Sequence, residues 1–156
     1  MFLNRLLGAS RLAVMEKYTA ELLETNQKTK KYGLILTPEE IKNMLVFRNQ
    51  VLLDYGRVEL GIEVSKQLAE VFCTSPYINQ QNYASTLNEL HEIFYDLKNE
   101  TEDKIDDFQL IKIMKNYFDH ACGGSLELLK GKLEAFAQAF RSETHVKDPL
   151  HERDEL

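Results

Sequence analysis

The sequence predicts an all-α protein, a single-domain bundle of about six helices with short loops. The first observation is that apolar residues recur every three or four positions in most segments, as they do on one face of an α-helix. The second is that capping residues and glycines separate these segments. The third is that no long segment alternates apolar and polar residues, as a half-buried strand does. Amphipathic helices of this kind bury their apolar faces against one another.

The first predicted helix begins at Ser10, a candidate N-cap, and runs to about Lys30, with Gly33 as its stop. Its apolar stripe consists of Leu12, Met15, Tyr18 and Leu22. The native start is Met1 or Met15; if it is Met15, residues 1–14 are a translated leader or an extension of this helix.

The second predicted helix has the strongest local start signal in the chain. Thr37 is the N-cap, Pro38 occupies the first helical position, and Glu40 stands three residues after the cap, as a capping box requires. The helix carries Ile41, Leu45 and Val51 or Leu52 on its apolar face, and it stops at Gly56. Gly56 and Gly61 then bound a break.

The third and fourth predicted helices lie on either side of Pro76. The third carries Ile62, Leu68, Val71 and Phe72 and ends before Pro76, which disfavours helical geometry at the preceding residue. The fourth runs from Asn79 to Glu100. Its stripe has steps of four, three, four and three and consists of Tyr83, Leu87, Leu90, Phe94 and Leu97.

The fifth and sixth predicted helices complete the bundle. Asp106 or Asp107 caps the fifth, which has Phe108, Ile111, Met114 and Phe118 on one face. Ser125 caps the sixth, which carries Leu126, Leu129, Leu133, Phe136 and Phe140. We therefore predict one domain over residues 1–144 and a polar tail over 145–156. The tail ends in Arg153-Asp-Glu-Leu156, which resembles an endoplasmic-reticulum retrieval signal, but we expect this to be a coincidence.

Charge and cysteine content limit the classes of partner. The 156 residues have a formal net charge of -6 and a pI of about 5.3, which argues against nucleic acid and anionic membranes as partners. No stretch reaches the roughly 20 apolar residues that span a bilayer.

The two cysteines, Cys73 and Cys122, form no CxxC motif. They are expected to be reduced, buried thiols, and a single disulfide is the alternative.

No motif in the chain specifies a reaction, a cofactor or a metal. His91-Glu92 begins like a zinc-protease helix, but position 95 is Tyr and not the second His. A calcium loop starting at Asn99 fails, because its sixth and twelfth positions are Lys104 and Leu110. We therefore assign no catalytic, cofactor-binding or metal-binding residue and expect no cofactor.

Charged and aromatic residues near the breaks are the candidate interaction surface. Arg57 and Glu59 flank Val58 between two glycines, and Tyr77 follows Pro76. Tyr95 and Lys98 sit beside the stripe of the fourth helix. Tyr and Arg are common anchors of protein interfaces. The alternative is structural: Arg57 and Glu59 form ion pairs or caps, and Tyr95 completes the core.

Several strings together resemble a family of small helical proteins of unknown function from anaerobic Gram-positive bacteria. The resemblance spans about residues 22–129 and is carried by Tyr32–Thr37, Gly56–Gly61, Phe72–Tyr77, Glu92–Glu100 and Gly124–Glu127. It implies a bacterial, cytoplasmic protein. It provides no catalytic residues.

These observations favour a non-enzymatic interaction module, a cytoplasmic adaptor or regulator that binds another protein or a second copy of itself. The alternative is a ligand-binding or metal-binding protein, enzymatic or not, with its site in the bundle core. That site would draw on His91, His120, Cys73 and Cys122.

Overall fold

The computed structural model describes residues 2–146, with side chains from Ser10 to His145, and confirms the all-α class. Within that range no strand forms, and six helices have ten residues or more. The predicted tail over 147–156 lies outside the described residues. The elements are α1 (Phe2–Glu24), α2 (Asn26–Thr29), a 3-10 turn (Lys30–Tyr32), α3 (Pro38–Asp54), α4 (Glu63–Phe72), α5 (Tyr83–Glu100), α6 (Asp107–Asp119) and α7 (Leu126–Val146).

The first helix differs from its prediction at both ends. Ser10 lies inside α1 and is not its N-cap, because the helix already begins at Phe2. The helix ends at Glu24, where the Thr25 hydroxyl donates to the Leu22 carbonyl at 2.6 Å and competes with the helical backbone pattern. Leu22 is fully buried, but Leu12, predicted on the same stripe, is 66% exposed.

The start of α3 confirms the predicted capping box. The Glu40 backbone N–H donates to Thr37 Oγ1 at 3.1 Å, and the Thr37 N–H donates to Glu40 Oε1 at 2.9 Å. Gly56 follows the helix with a φ of 66°, a left-handed conformation that glycine adopts without steric cost. The α3 side chains that face the core include Ile41, Leu45, Val51 and Leu52.

The predicted stripe of the fourth helix is confirmed, since all five of its members are buried in α5. The helix begins at Tyr83 and not at Asn79. The reason is a reciprocal pair of hydrogen bonds, in which the backbone N–H of Asn79 donates to Asn82 Oδ1 and that of Asn82 donates to Asn79 Oδ1. These side chains hold a turn ahead of the helix.

Residues 34–36 form an extended connection between helices. In the described chain it is the one connection with both edges hydrogen-bonded to amide side chains. Gln80 accepts from the Ile35 N–H at 2.8 Å and donates to the Ile35 carbonyl at 2.7 Å. Asn26 makes the same pair of bonds with Leu36, both at 2.9 Å. Each amide therefore satisfies one edge of the segment, as a neighbouring strand would.

Contacts divide the chain into two compact units, Met1–Glu92 and Ile93–Leu156, and α5 contributes to both. In the first unit α1 packs on α3 and α2 on α4; in the second, α6 packs on α7. The single-domain interpretation of residues 1–144 stays a prediction.

Among the described residues no helix is long and apolar enough to cross a membrane.

The caps of the second unit match the sequence. Asp106 accepts from the Gln109 N–H at 3.0 Å at the start of α6, and Ser125 Oγ accepts from the Leu128 N–H at 3.2 Å at the start of α7. Phe108 is an exception on the predicted apolar face of α6. Its ring is 45% exposed and lies 4.8 Å from Lys112 Nζ.

Candidate interaction surface

The loop Gly56–Gly61, between α3 and α4, presents the most exposed large apolar side chains of the described chain. Val58 and Leu60 are each 93% exposed, whereas Arg57 and Glu59 are half-buried. Isolated exposed apolar residues are normal on protein surfaces, but these two lie two positions apart in one short loop, which makes the loop a candidate contact surface. We call residues 56–61 the GG loop.

Hydrogen bonds hold both ends of the GG loop. At its start, the Arg57 N–H donates to the Leu52 carbonyl at 2.8 Å. At its end, the Gly61 N–H donates to the Tyr18 hydroxyl at 2.9 Å, and Arg48 Nη2 donates to the Gly61 carbonyl at 2.5 Å. The loop is therefore fixed to both α1 and α3, although its apolar side chains point into solvent.

Arg48 is a buried cation that contributes to this anchoring. It is 4% exposed, also donates to Asn49 Oδ1 at 2.9 Å, and stacks 5.9 Å from the centre of the Tyr18 ring. Among the described residues it has no carboxylate partner, and its Nε has no hydrogen-bond partner. Burying a guanidinium without a carboxylate partner costs free energy. Holding Gly61 with Arg48 therefore lowers the stability of the fold.

A buried Ser–His pair lies in the core of the same unit. The Ser65 hydroxyl is 2.7 Å from His91 Nε2, and His91 Nδ1 is 2.7 Å from the Leu87 carbonyl. The carbonyl can only accept, so Nδ1 carries the proton and Nε2 accepts from Ser65. The pKa of His91 is lowered to about 4, chiefly by burial and in smaller part by the positive charge of Arg48, against the opposing effect of the Leu87 hydrogen bond.

A neutral histidine that accepts from a serine hydroxyl has the geometry of a base beside a nucleophile. Both Ser65 and His91 are 0% exposed, and a carbonyl, not a carboxylate, orients the imidazole. A reacting atom has to approach the nucleophile to about 3 Å. In this structure a substrate therefore has no path from solvent to Ser65 Oγ.

The five residues predicted as the interaction surface occupy different environments. Arg57 and Glu59 lie in the GG loop, and Tyr77 is 44% exposed in the turn after α4. Tyr95 and Lys98 are 1% and 8% exposed on α5, and so they do not contribute to an exposed surface. Tyr95 packs edge-on against Phe94 at 4.9 Å, which matches the alternative that it completes the core.

Lys98 is held inside the second unit by two acceptors. Its Nζ donates to the Ile105 carbonyl at 2.5 Å and pairs with Asp107 Oδ1 at 2.8 Å. These bonds fasten the loop between α5 and α6. Lys98, which was predicted as part of the interaction surface, thus also has a structural role within the second unit.

The residues proposed for a core metal or ligand site are dispersed along the chain. His91 is buried, His120 is exposed beyond α6, and neither Cys73 nor Cys122 forms a disulfide. No group of three or more His, Cys, Asp or Glu among the described residues is placed to hold a metal ion.

The fold and this surface define a helical protein with an anchored apolar loop. The model of a family of unknown function, DUF6323, matches residues 21–146, and the chain belongs to that family. The resemblance noted in the sequence is thereby confirmed at the level of a family without an assigned function. Neither the curated proteins nor the solved structures contain a match.

Proposed function

We propose that the protein is a non-enzymatic protein-interaction module and that the GG loop makes the contact. The observation that carries this proposal is the 93% exposure of both Val58 and Leu60. Covering a valine or leucine side chain that was fully exposed contributes roughly 1.5–3 kcal/mol each. The pair is thus large enough to act as the centre of an interface.

The anchoring of the loop supports the same function. A loop that only connects two helices does not require a buried arginine and a tyrosine hydroxyl at its end, yet Arg48 and Tyr18 both bind Gly61. The resemblance to proteins of anaerobic Gram-positive bacteria supports a bacterial cytoplasmic partner.

The experiment is a tagged pull-down from the native source cells, with quantitative mass spectrometry. The test variant is Val58→Ser/Leu60→Ser. The matched control is Val46→Ser/Leu12→Ser, which removes one valine and one leucine that are 60% and 66% exposed on α3 and α1. A stoichiometric partner should be retained by the control and lost with the loop variant. Equal recovery with both variants would refute the loop as the contact.

The Ser65–His91 contact favours one second candidate, an enzyme or ligand-binding protein with its site in the core. A fluorophosphonate probe tests it, because such probes label activated serines. We expect no labelling of the folded protein, since Ser65 is fully buried. Stoichiometric labelling of Ser65 that is lost in His91→Gln would establish the enzymatic alternative.

A further inference from the structure

We propose that the partner adds an extended segment, as an antiparallel β-strand, to the outer edge of the GG loop. Its apolar side chains lie opposite Val58 and Leu60, and a basic side chain lies opposite Glu59. This inference rests on the proposed function, because it names the chemistry of the segment that the loop binds. Strand addition of this kind takes its affinity from main-chain hydrogen bonds and its specificity from alternate side chains.

The GG loop has the features of a short strand. Residues 57–60 contain neither a turn nor a bend, and side-chain exposure alternates with a period of two, as it does in an extended chain. Arg57 and Glu59 are half-buried, whereas Val58 and Leu60 are exposed. The two exposed apolar side chains therefore share one face.

The direction of the peptide groups identifies the outer edge. No peptide bond in the described chain is cis, and a trans peptide points its C=O opposite to the following N–H. Because the Gly61 N–H points to Tyr18, the Leu60 carbonyl points away from it. Because the Arg57 N–H points to Leu52, alternation directs the Val58 N–H outward as well.

This outer edge has no partner within the described chain. No hydrogen bond joins the backbone of Val58, Glu59 or Leu60 to any other described residue. The extended segment 34–36 provides an internal comparison, because Asn26 and Gln80 satisfy both of its edges. The fold thus covers the edges of one segment and leaves that of the GG loop open, which makes it a template for strand pairing.

The side chains distinguish a foreign strand from a second copy of this loop. An antiparallel pair of GG loops would place Val58 opposite Leu60 and Glu59 directly opposite Glu59 of the other copy. Like charges directly opposite one another destabilise a strand pair, and the net charge of -6 adds to the repulsion. A segment with an apolar–basic–apolar pattern avoids this conflict and pairs its cation with Glu59.

The test uses a capped seven-residue peptide in which valine and lysine alternate, titrated into the full chain and followed by amide chemical shifts. Two further peptides carry N-methyl groups, one on its valines and the other on its lysines. In the proposed pairing the valine N–H groups donate to the loop and the lysine N–H groups point away. The parent and the N-methyl-lysine peptides should shift the Val58 and Leu60 amides saturably, and the N-methyl-valine peptide should not.

Variants of the protein complete the design. Glu59→Lys should weaken binding of the parent peptide about threefold to tenfold, because an attractive cross-strand pair becomes a repulsive one. Leu53→Ser, which alters an exposed leucine on α3 outside the loop, should leave binding unchanged. Equal binding of the two methylated peptides, or no shift with the parent peptide, would overturn the inference.

Two outcomes separate this inference from the proposed function. If the loop variant loses its cellular partner but the peptides fail to bind, the interaction module stands and strand addition is wrong. If the Val58 and Leu60 amides shift with protein concentration alone, the occupant is a second copy and not a foreign strand.

Discussion

The buried His91 predicts a specific loss of stability in mild acid. In the folded protein burial holds its pKa at about 4, against 6.5 for the exposed side chain. Between these two values the unfolded state binds more protons than the folded state, so the free energy of unfolding decreases as the pH falls from about 6.5 towards 4.

The magnitude follows from the two pKa values. At pH 7 His91 is largely neutral in both states, whereas at pH 5 it is almost fully protonated when unfolded and mostly neutral when folded. With a difference of one pKa unit equal to about 1.36 kcal/mol, His91 alone removes about 2 kcal/mol between pH 7 and pH 5.

Urea denaturation at pH 7 and at pH 5, followed by circular dichroism, measures this loss. The control is His91→Gln, which has no group that titrates at this position, so all other groups contribute equally to both proteins. We expect the wild type to lose about 2 kcal/mol more than the variant over this interval. An equal loss in both proteins would show that His91 does not stay neutral in the core and would refute the reasoning.

Three further predictions concern stability and are measured by the same denaturation at pH 7. Leu90→Ala should destabilise the fold by roughly 2–5 kcal/mol, because the side chain is fully buried. The control is Leu53→Ala at an exposed position, which should change the stability by less than about 0.5 kcal/mol. A change that small for Leu90→Ala would contradict the core position of Leu90. Thr37→Ala should cost about 1 kcal/mol through loss of the capping box, and no change would mean that the cap contributes nothing. Asn26→Ala should cost about 1–3 kcal/mol because it leaves the Leu36 backbone groups without partners, and Gln80→Ala should cost less at its exposed site.

The features that the sequence predicted correctly depend on near neighbours in the chain. The capping box needs only Thr37 and Glu40, three residues apart, and the α5 stripe follows from steps of three and four. The end of α1 and the start of α5 were predicted wrongly because local side-chain hydrogen bonds compete there with the helical backbone pattern. Thr25 bonds to the Leu22 carbonyl, and Asn79 and Asn82 bond to each other's backbone N–H groups.

The candidate interaction surface stays a prediction, and the structure shows only how exposed each of its residues is. The sequence directed attention to Arg57 and Glu59, because they lie at a break between helices and arginine is a common interface anchor, whereas the most exposed residues of this loop are Val58 and Leu60. Their glycine boundaries were the available signal. Nothing in the local sequence shows that Tyr18, 43 residues earlier, fixes the end of the loop, or that Ser65 and His91 meet across 26 residues.

The bonds at the two ends of the GG loop have an entropic consequence. Ordering the backbone of one residue costs about 1–2 kcal/mol of free energy, and a disordered loop incurs this cost when it binds. In the GG loop, Arg57 is bonded to Leu52, and Gly61 is bonded to Tyr18 and Arg48. Much of the ordering cost is therefore incurred during folding. In the proposed interaction, the loop would therefore bind its partner with little further ordering, which favours fast association.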